Sequence, residues 1–222
     1  MSDPAEKKDD AAAAPAAAAA ENGKAEEAVP AGLQPQDLAI KHPLHNSWSM
    51  WYDNPGRKTS QHSWGDHLRQ ISTFSFVEDF WRVYNNIHLA SKLASGSNYH
   101  LFKQGIEPKW EDEANKRGGK WIVQFPSKQR KDLDKRWLWC VLALVGENLD
   151  DDNDEVCGAV VSIRRSQDKI AIWTKDKTKE GTLAIGRKFK AAIEWPDMIG
   201  YQSHSDAMKH NSSFNNRNKY EV

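Results

Sequence analysis

Two stretches rich in β-branched residues, residues 156–164 and 169–174, are separated only by Arg165, Ser166, Gln167 and Asp168. A connection that short closes a hairpin, because a parallel return needs a crossover of roughly a dozen residues or more. Antiparallel pairing is therefore forced here. The four-residue connection sets Arg164 opposite Lys169, and alternation places Ser162, Lys169 and Trp173 on the same face. Like charges directly opposed across a ladder destabilise it. Two readings stand: an anion sits between Arg164 and Lys169, or the two cations diverge into water, where exposed pairs repel only weakly.

The remaining periodicity extends such a sheet. Residues 47–52 alternate, with Trp48, Met50 and Tyr52 on one face, and Asn54-Pro55-Gly56 ends the run. Residues 71–76, 99–103, 198–203 and 215–222 also read as strands, and Trp121, Val123 and Phe125 alternate after Gly118-Gly119. Helices interrupt them. Val77, Phe80, Trp81, Tyr84 and Ile87 recur at helical spacing behind Ser75 and Glu78, which are placed as a capping box. Residues 128–145 read as a second helix stopped by Gly146, and residues 183–194 as a third. Strands and helices mixed without strict alternation predict an α+β domain, a curved antiparallel sheet of about eight strands with three helices on one face.

The second helix has more apolar surface than one sheet can cover. Leu133, Trp137, Cys140, Val141 and Leu144 form one face, while Leu138, Leu142 and Val145 form another roughly 120° away. That second face needs either another element of the same chain or a partner.

Ahead of this domain, residues 1–35 carry nine alanines around Pro15 and then a Glu-rich piece. So few large apolar groups cannot offset chain entropy, which predicts a disordered tail before a domain over residues 36–222. The chain is neutral overall, with 31 basic and 31 acidic residues, but residues 1–33 hold seven acids against three bases and leave the rest at +4. An excess this mild argues against a grip on long duplex nucleic acid and permits a small anionic ligand. Two cysteines, Cys140 and Cys157, with no secretory leader pattern, predict a reducing compartment. No run reaches the eighteen apolar residues of a membrane span. The acidic stretch from Asp150 to Glu155 lacks the glycine and distal Glu of a calcium loop, and the eight histidines show no metal-ligand spacing, so no metal or cofactor is expected.

Ten tryptophans exceed what a core of this size needs, and one of them sits in an irregular segment, Gly105-Ile106-Glu107-Pro108-Lys109-Trp110-Glu111-Asp112. Loops normally expose small polar groups. Either Trp110 anchors the core and Glu111 is solvated charge, or a flat group covers the indole. A guanine base suits both residues, since its face stacks on Trp110 while its ring N–H and exocyclic amine donate to Glu111.

Taken in order, His42-Pro43-Leu44, Val77-Glu78-Asp79-Phe80-Trp81, the Gly105 to Asp112 segment, Cys157-Gly158-Ala159-Val160-Val161, Asp168-Lys169-Ile170-Ala171-Ile172-Trp173 and Gly200-Tyr201-Gln202-Ser203-His204 resemble the eukaryotic translation initiation factor 4E family, whose members bind the messenger-RNA cap. Tryptophan at both 48 and 64 resembles the family's initiation-active class. The resemblance implies that Trp64 and Trp110 sandwich 7-methylguanine, that Glu111 reads its edge, and that Trp173 touches the methyl group. It also implies that Arg164 and Lys169 hold the phosphates, with Lys120 in a position where Arg is usual and His204 at the rim. On the helical side it implies that His42, Pro43, Val77, Trp81, Leu138 and Leu142 accept a Tyr-x4-Leu-hydrophobic helix from a scaffold initiation factor or from inhibitory binding proteins. The implied protein is a cytoplasmic and also nuclear factor, a monomer within a larger complex, with no catalytic residues and no membrane contact.

Three departures from the family pattern stand out. Trp139 replaces a polar or acidic residue beside the partner groove, and Asn98 replaces a frequent Asp behind the cap slot, where it bears on the Trp110 loop or on tolerance for other caps. Phe214 falls where a regulatory serine is usual, leaving Ser213 as the candidate phosphorylation site. Competing readings are a cap-binding translational repressor and, from a different class, a carbohydrate-binding module or glycoside hydrolase built on Trp beside carboxylates.

Overall fold

The computed structural model describes residues 40–54, 67–151, 154–175, 179–209 and 217–222. Trp64, Ser213 and the expected tail lie outside them. The compact unit spans Lys41–Val222. Eight strands form one curved antiparallel sheet: β1 (Pro43–Asp53), β2 (Arg69–Phe76), β3 (Asn98–Lys103), β4 (Gly119–Pro126), β5 (Val156–Ser162), β6 (Gln167–Thr174), β7 (Gly200–Ser203) and β8 (Tyr220–Glu221). Their spatial order is β2-β1-β3-β5-β6-β4-β7-β8. The α+β reading holds.

Strand alternation sorts side chains to two faces. One face presents Trp48, Met50, Leu101, Trp121, Val123 and Ile172, all buried, to helices α1 (Val77–Tyr84), α2 (Leu133–Val145) and α3 (Lys179–Ala192). Full burial of an indole removes about 150–250 Å² from water, worth on the order of 4 kcal/mol or more, and Trp48 and Trp121 both contribute on that scale. Trp121 also docks α3, donating its Nε1–H to Thr182 O at 2.9 Å. Gly186 makes this approach possible, because a Cβ there would meet the Trp121 ring at 2.5 Å. The other face carries a smaller cluster of Phe102, Ile122, Cys157, Val160, Ala171 and Trp173, with Ile106, Trp110 and Ala114 packed against it.

Two local expectations are corrected. Ser75 and Glu78 do not cap α1; the N-cap is Phe76, with no side-chain cap bond. Glu78 is drawn away by tertiary partners, accepting from His42 N at 3.0 Å and lying 2.6 Å from His42 Nδ1, while Val77 N donates to His42 O at 2.9 Å. The hairpin register is also different, with Ser162 rather than Arg164 opposite Lys169. Ile163 leaves the β5–β6 ladder because its backbone pairs with Ser97 and Gly96 on the opposite side, and the Asp168 carboxylate takes the Arg164 N–H at 2.8 Å in place of a ladder bond. Smaller shifts occur at helix starts: residues 127–132 are 3-10 helix before α2 begins, and α3 starts at Lys179. A short helix α4 (His204–Lys209) follows β7.

Candidate functional site

The face away from the three helices is where the predicted cations and aromatics meet. Lys120 on β4 pairs in register with Trp173 on β6 and with Gln202 on β7. Its Nζ lies 6.0 Å from the ring centroids of both Trp110 and Trp173. Burial, reinforced by Lys169 and Arg164, lowers the Lys120 ammonium to about 8. Burial and Arg164 likewise lower Lys169, and burial lowers Arg164 against the opposing pull of Asp53 and Asp168. Three cations thus press on one another on a partly desolvated surface. A surface built this way gains by taking up an anion.

Trp173 forms part of the floor, only 6% exposed, in edge contact with Phe102 at 5.5 Å and with the His204 ring tilted against it at 4.1 Å. His204, expected at the rim, is instead fully buried behind Trp173, since its backbone N–H is tied to Gly118 O at 3.0 Å where β7 turns into α4. Burial, with Lys120 nearby, holds its imidazole well below the ordinary value, so it is neutral.

The Trp110 segment is an ordered loop. Gly105 adopts φ 87°, a left-handed conformation that suits glycine and turns the chain out of β3. Asp112 then accepts from Glu107 N and Ala114 N, both at 2.9 Å, while the buried Asn115 donates to Glu107 O and Lys109 O, both at 2.8 Å. These bonds hold Trp110 half-buried against the Trp173 cluster and leave Glu111 exposed. Glu111 is therefore free to meet something outside the fold. Nothing in the sequence flagged Asn115; its importance appears only once the loop is closed around it.

Behind Arg164 lies a network that the periodicity does not reveal. Arg164 donates Nη2–H to Asn98 Oδ1 at 2.9 Å and Nη1–H to Ile163 O at 2.9 Å. Asn98 in turn donates Nδ2–H to both carboxylate oxygens of Asp53 at 3.0 Å, and His100 Nε2 lies 2.5 Å from Asp53 Oδ1. Asn98 therefore contacts Arg164 rather than the Trp110 loop, the first of the two expectations for it. On the other side of the hairpin, Arg130 grips Asp168 and also donates to Arg164 O at 2.9 Å.

On the helical side, the His42–Glu78 contact brings the start of β1 onto α1. His42 and Pro43 are exposed, and Val77, Trp81, Leu138 and Leu142 are half-buried. The last three pack only partly against the main core. Val145, assigned from the sequence to the same helical face as Leu138, is 7% exposed and belongs to the core. Trp139 beside this surface carries the Lys135 ammonium 4.2 Å over its ring. Hydrogen bonding to His42 holds the Glu78 carboxyl down at about 2. The acidic stretch from Asp150 to Glu155 is partly committed to structure: Asp150 accepts from Glu155 N at 2.5 Å, and Asp154 pairs with Lys103 and Lys175. Among the described residues no group of His, Cys, Asp or Glu is placed to hold a metal ion.

A half-buried indole on a pinned loop, a second indole packed near it and the cations that act on one another thus share one face of the sheet. The chain belongs to the eukaryotic initiation factor 4E family, whose model matches residues 43–219. It is 46% identical over 201 residues to initiation factor 4E-1 of Phaseolus vulgaris, covering 89% of this chain and 85% of that one. It is 51% identical over 188 residues to factor 4E-1A of Danio rerio, covering 82% and 85%. Among solved structures it resembles Ascaris suum eIF4E-3 with m7G cap, with a TM-score of 0.74 and 39% identity, covering 82% of this chain and 98% of that one. It also resembles the complex of C. elegans eIF4E-3 with the 4E-binding protein Mextli and cap analog, with a TM-score of 0.74 and 38% identity, covering 82% and 100%.

Proposed function

We propose that this chain binds the 7-methylguanosine end of messenger RNA through the Trp110–Lys120–Trp173 face and, through the α1–α2 face, recruits a scaffold factor for cap-dependent initiation. The observation that carries the reading is Lys120, 6.0 Å from two indoles and under repulsion from Lys169 and Arg164 that a triphosphate relieves. Membership of the 4E family and the likeness to cap-bound relatives support it. In this reading Trp110 and Trp64 stack on the base, Glu111 accepts from its edge, and Trp173 lies against the N7-methyl. Ser213 is the modifiable position near the C-terminus. The action is cytoplasmic.

N7-methylation makes the purine cationic, which strengthens stacking on an electron-rich indole and sharpens the ring N–H that faces Glu111. Stacking contributes about 1–3 kcal/mol per contact, the cation–π component about 2 when desolvated, and a charged hydrogen bond about 1.5–3. Against the costs of association these yield micromolar or tighter binding, roughly 8 kcal/mol. The phosphate share weakens as salt rises.

The test is retention on 7-methyl-GTP resin and indole quenching with 7-methyl-GTP against GTP. Tight quenching only by the methylated nucleotide is expected; equal quenching by both overturns the reading. A glycoside hydrolase is disfavoured because Asp112, the carboxylate beside Glu111 that could serve as its second, is spent on backbone N–H groups of its own loop. Capture of a Tyr-x4-Leu-hydrophobic peptide, lost in Trp81→Ala while cap binding persists, separates an initiation role from a repressor that recruits no scaffold.

A further inference from the structure

We infer that Asp53 is the positioning residue for the phosphate arm of the site, acting on Arg164 through the amide of Asn98. This rests on the cap-binding reading and adds to it a residue that touches no ligand. Asp53 ends β1, Asn98 begins β3 and Arg164 follows β5, so the three lie side by side across neighbouring strands. Asp53 is fully buried and Asn98 is 4% exposed.

A buried carboxylate must be compensated. The described partners of Asp53 are the Asn98 amide, at 3.0 Å to both oxygens, and His100 Nε2 at 2.5 Å. The Asn98 amide has only one workable orientation. Its Nδ2 faces an acceptor and its Oδ1 faces the Arg164 Nη2–H at 2.9 Å, and a flip would set amide N–H against guanidinium and amide oxygen against carboxylate. The amide is therefore polarised from both ends, and the negative charge of Asp53 is delivered to Arg164 two strands away. Asp53 in turn favours the charged guanidinium, opposing its burial. With Nη1 held by Ile163 O and Ser97 O, the plane of Arg164 is set from behind before any ligand arrives.

The test is indole fluorescence titration with 7-methylguanosine and with its 5'-triphosphate, over a range of salt. Asp53→Asn is expected to weaken triphosphate binding about tenfold, the loss of one charge-assisted contact. Nucleoside binding should stay within about twofold, and the salt slope should fall by about one. The exchange Asp53→Asn with Asn98→Asp, which returns a single carboxylate and places it directly on Arg164, should restore both the affinity and the slope. If folded Asp53→Asn loses nucleoside and triphosphate binding equally, or loses neither, or if the exchanged pair does not restore triphosphate binding, the relay is wrong. Should Asp53→Asn fail to fold, the exchanged pair alone decides, because it keeps one buried carboxylate: wild-type triphosphate selectivity supports the relay, and lost selectivity overturns it. Failure of the cap-binding reading looks different, since the wild-type protein would then show no preference for the methylated base at all.

Discussion

Arg130 and Asp168 form a two-point contact, Nε–H to Oδ2 at 2.6 Å and Nη2–H to Oδ1 at 2.9 Å, and so close the β5–β6 hairpin from outside the ladder. Asp168 is fully buried, and it also receives the Arg164 backbone N–H. One carboxylate thus holds the turn that carries Arg164, the residue proposed to bind phosphate. Arg130→Ala leaves that carboxylate buried with its main countercharge removed, and because Arg130 is partly exposed the cost is set below the usual range, at about 2 kcal/mol. A thermal midpoint lower by about 4–8 °C is expected for a chain of this size. An unchanged midpoint would show that water replaces Arg130 without loss.

Lys120 makes binding depend on pH in a way that can be isolated. Its ammonium is lowered to about 8 from 10.5, so between those values the unfolded chain binds more protons and folding stability rises with pH; below about 8 the cost of burying the charge is fully present. Phosphate binding has the opposite dependence, since it needs the charged form. The ratio of triphosphate to nucleoside affinity should therefore fall as pH rises through about 8, and Lys120→Arg should flatten that profile. The ratio cancels any ionisation of the base itself, and a ratio constant across this range excludes Lys120 from phosphate binding.

Asn115 ties the Trp110 loop from beneath through two backbone carbonyls. Asn115→Ala strands both acceptors, costing about 1–3 kcal/mol if they stay buried. Freed of these ties, the loop no longer presents Trp110 and Glu111 together. Nucleoside and triphosphate affinities should drop by the same factor, about tenfold, in contrast to any change in the phosphate arm. Selective loss of triphosphate binding would place Asn115 in the wrong part of the site.

Glu78 anchors His42 and with it the start of β1 on α1. Its carboxyl is depressed from 4.5 to about 2, so the anchor is fully present above about 4.5 and is lost as pH falls through about 2. The His42 and Val77 amide resonances should shift together with a midpoint near 2, and Glu78→Gln should abolish that step. The same variant should weaken capture of the Tyr-x4-Leu-hydrophobic peptide without altering cap affinity. A shift centred on the ordinary carboxylate value would show that the contact is not formed in solution.

Elements and faces were legible before any coordinates, because period-2 and period-3.6 patterns are local. Trp48 and Met50 fall on the helix side, and Lys169 with Trp173 on the other, as alternation alone requires. Arg164, Lys169 and Trp110 were singled out by local oddness, like charge near like charge and an indole in a loop, whereas Lys120 came only from the family resemblance. Register was a different matter. The hairpin slipped by two residues because Ile163 finds its backbone partners at Ser97 and Gly96, nearly seventy positions away along the chain.

What only the tertiary structure decided is which side chain answers which. Glu78 turns to His42 instead of capping its own helix, Asp168 to Arg130, and Asp53 through Asn98 to Arg164. Each of these pairs joins strands or helices that are not consecutive in sequence, in a sheet ordered β2-β1-β3-β5-β6-β4-β7-β8. Local periodicity assigns a residue to a face, but the charge that compensates a buried carboxylate comes from whichever strand lies beside it, and strand order is set by the packing of the whole core.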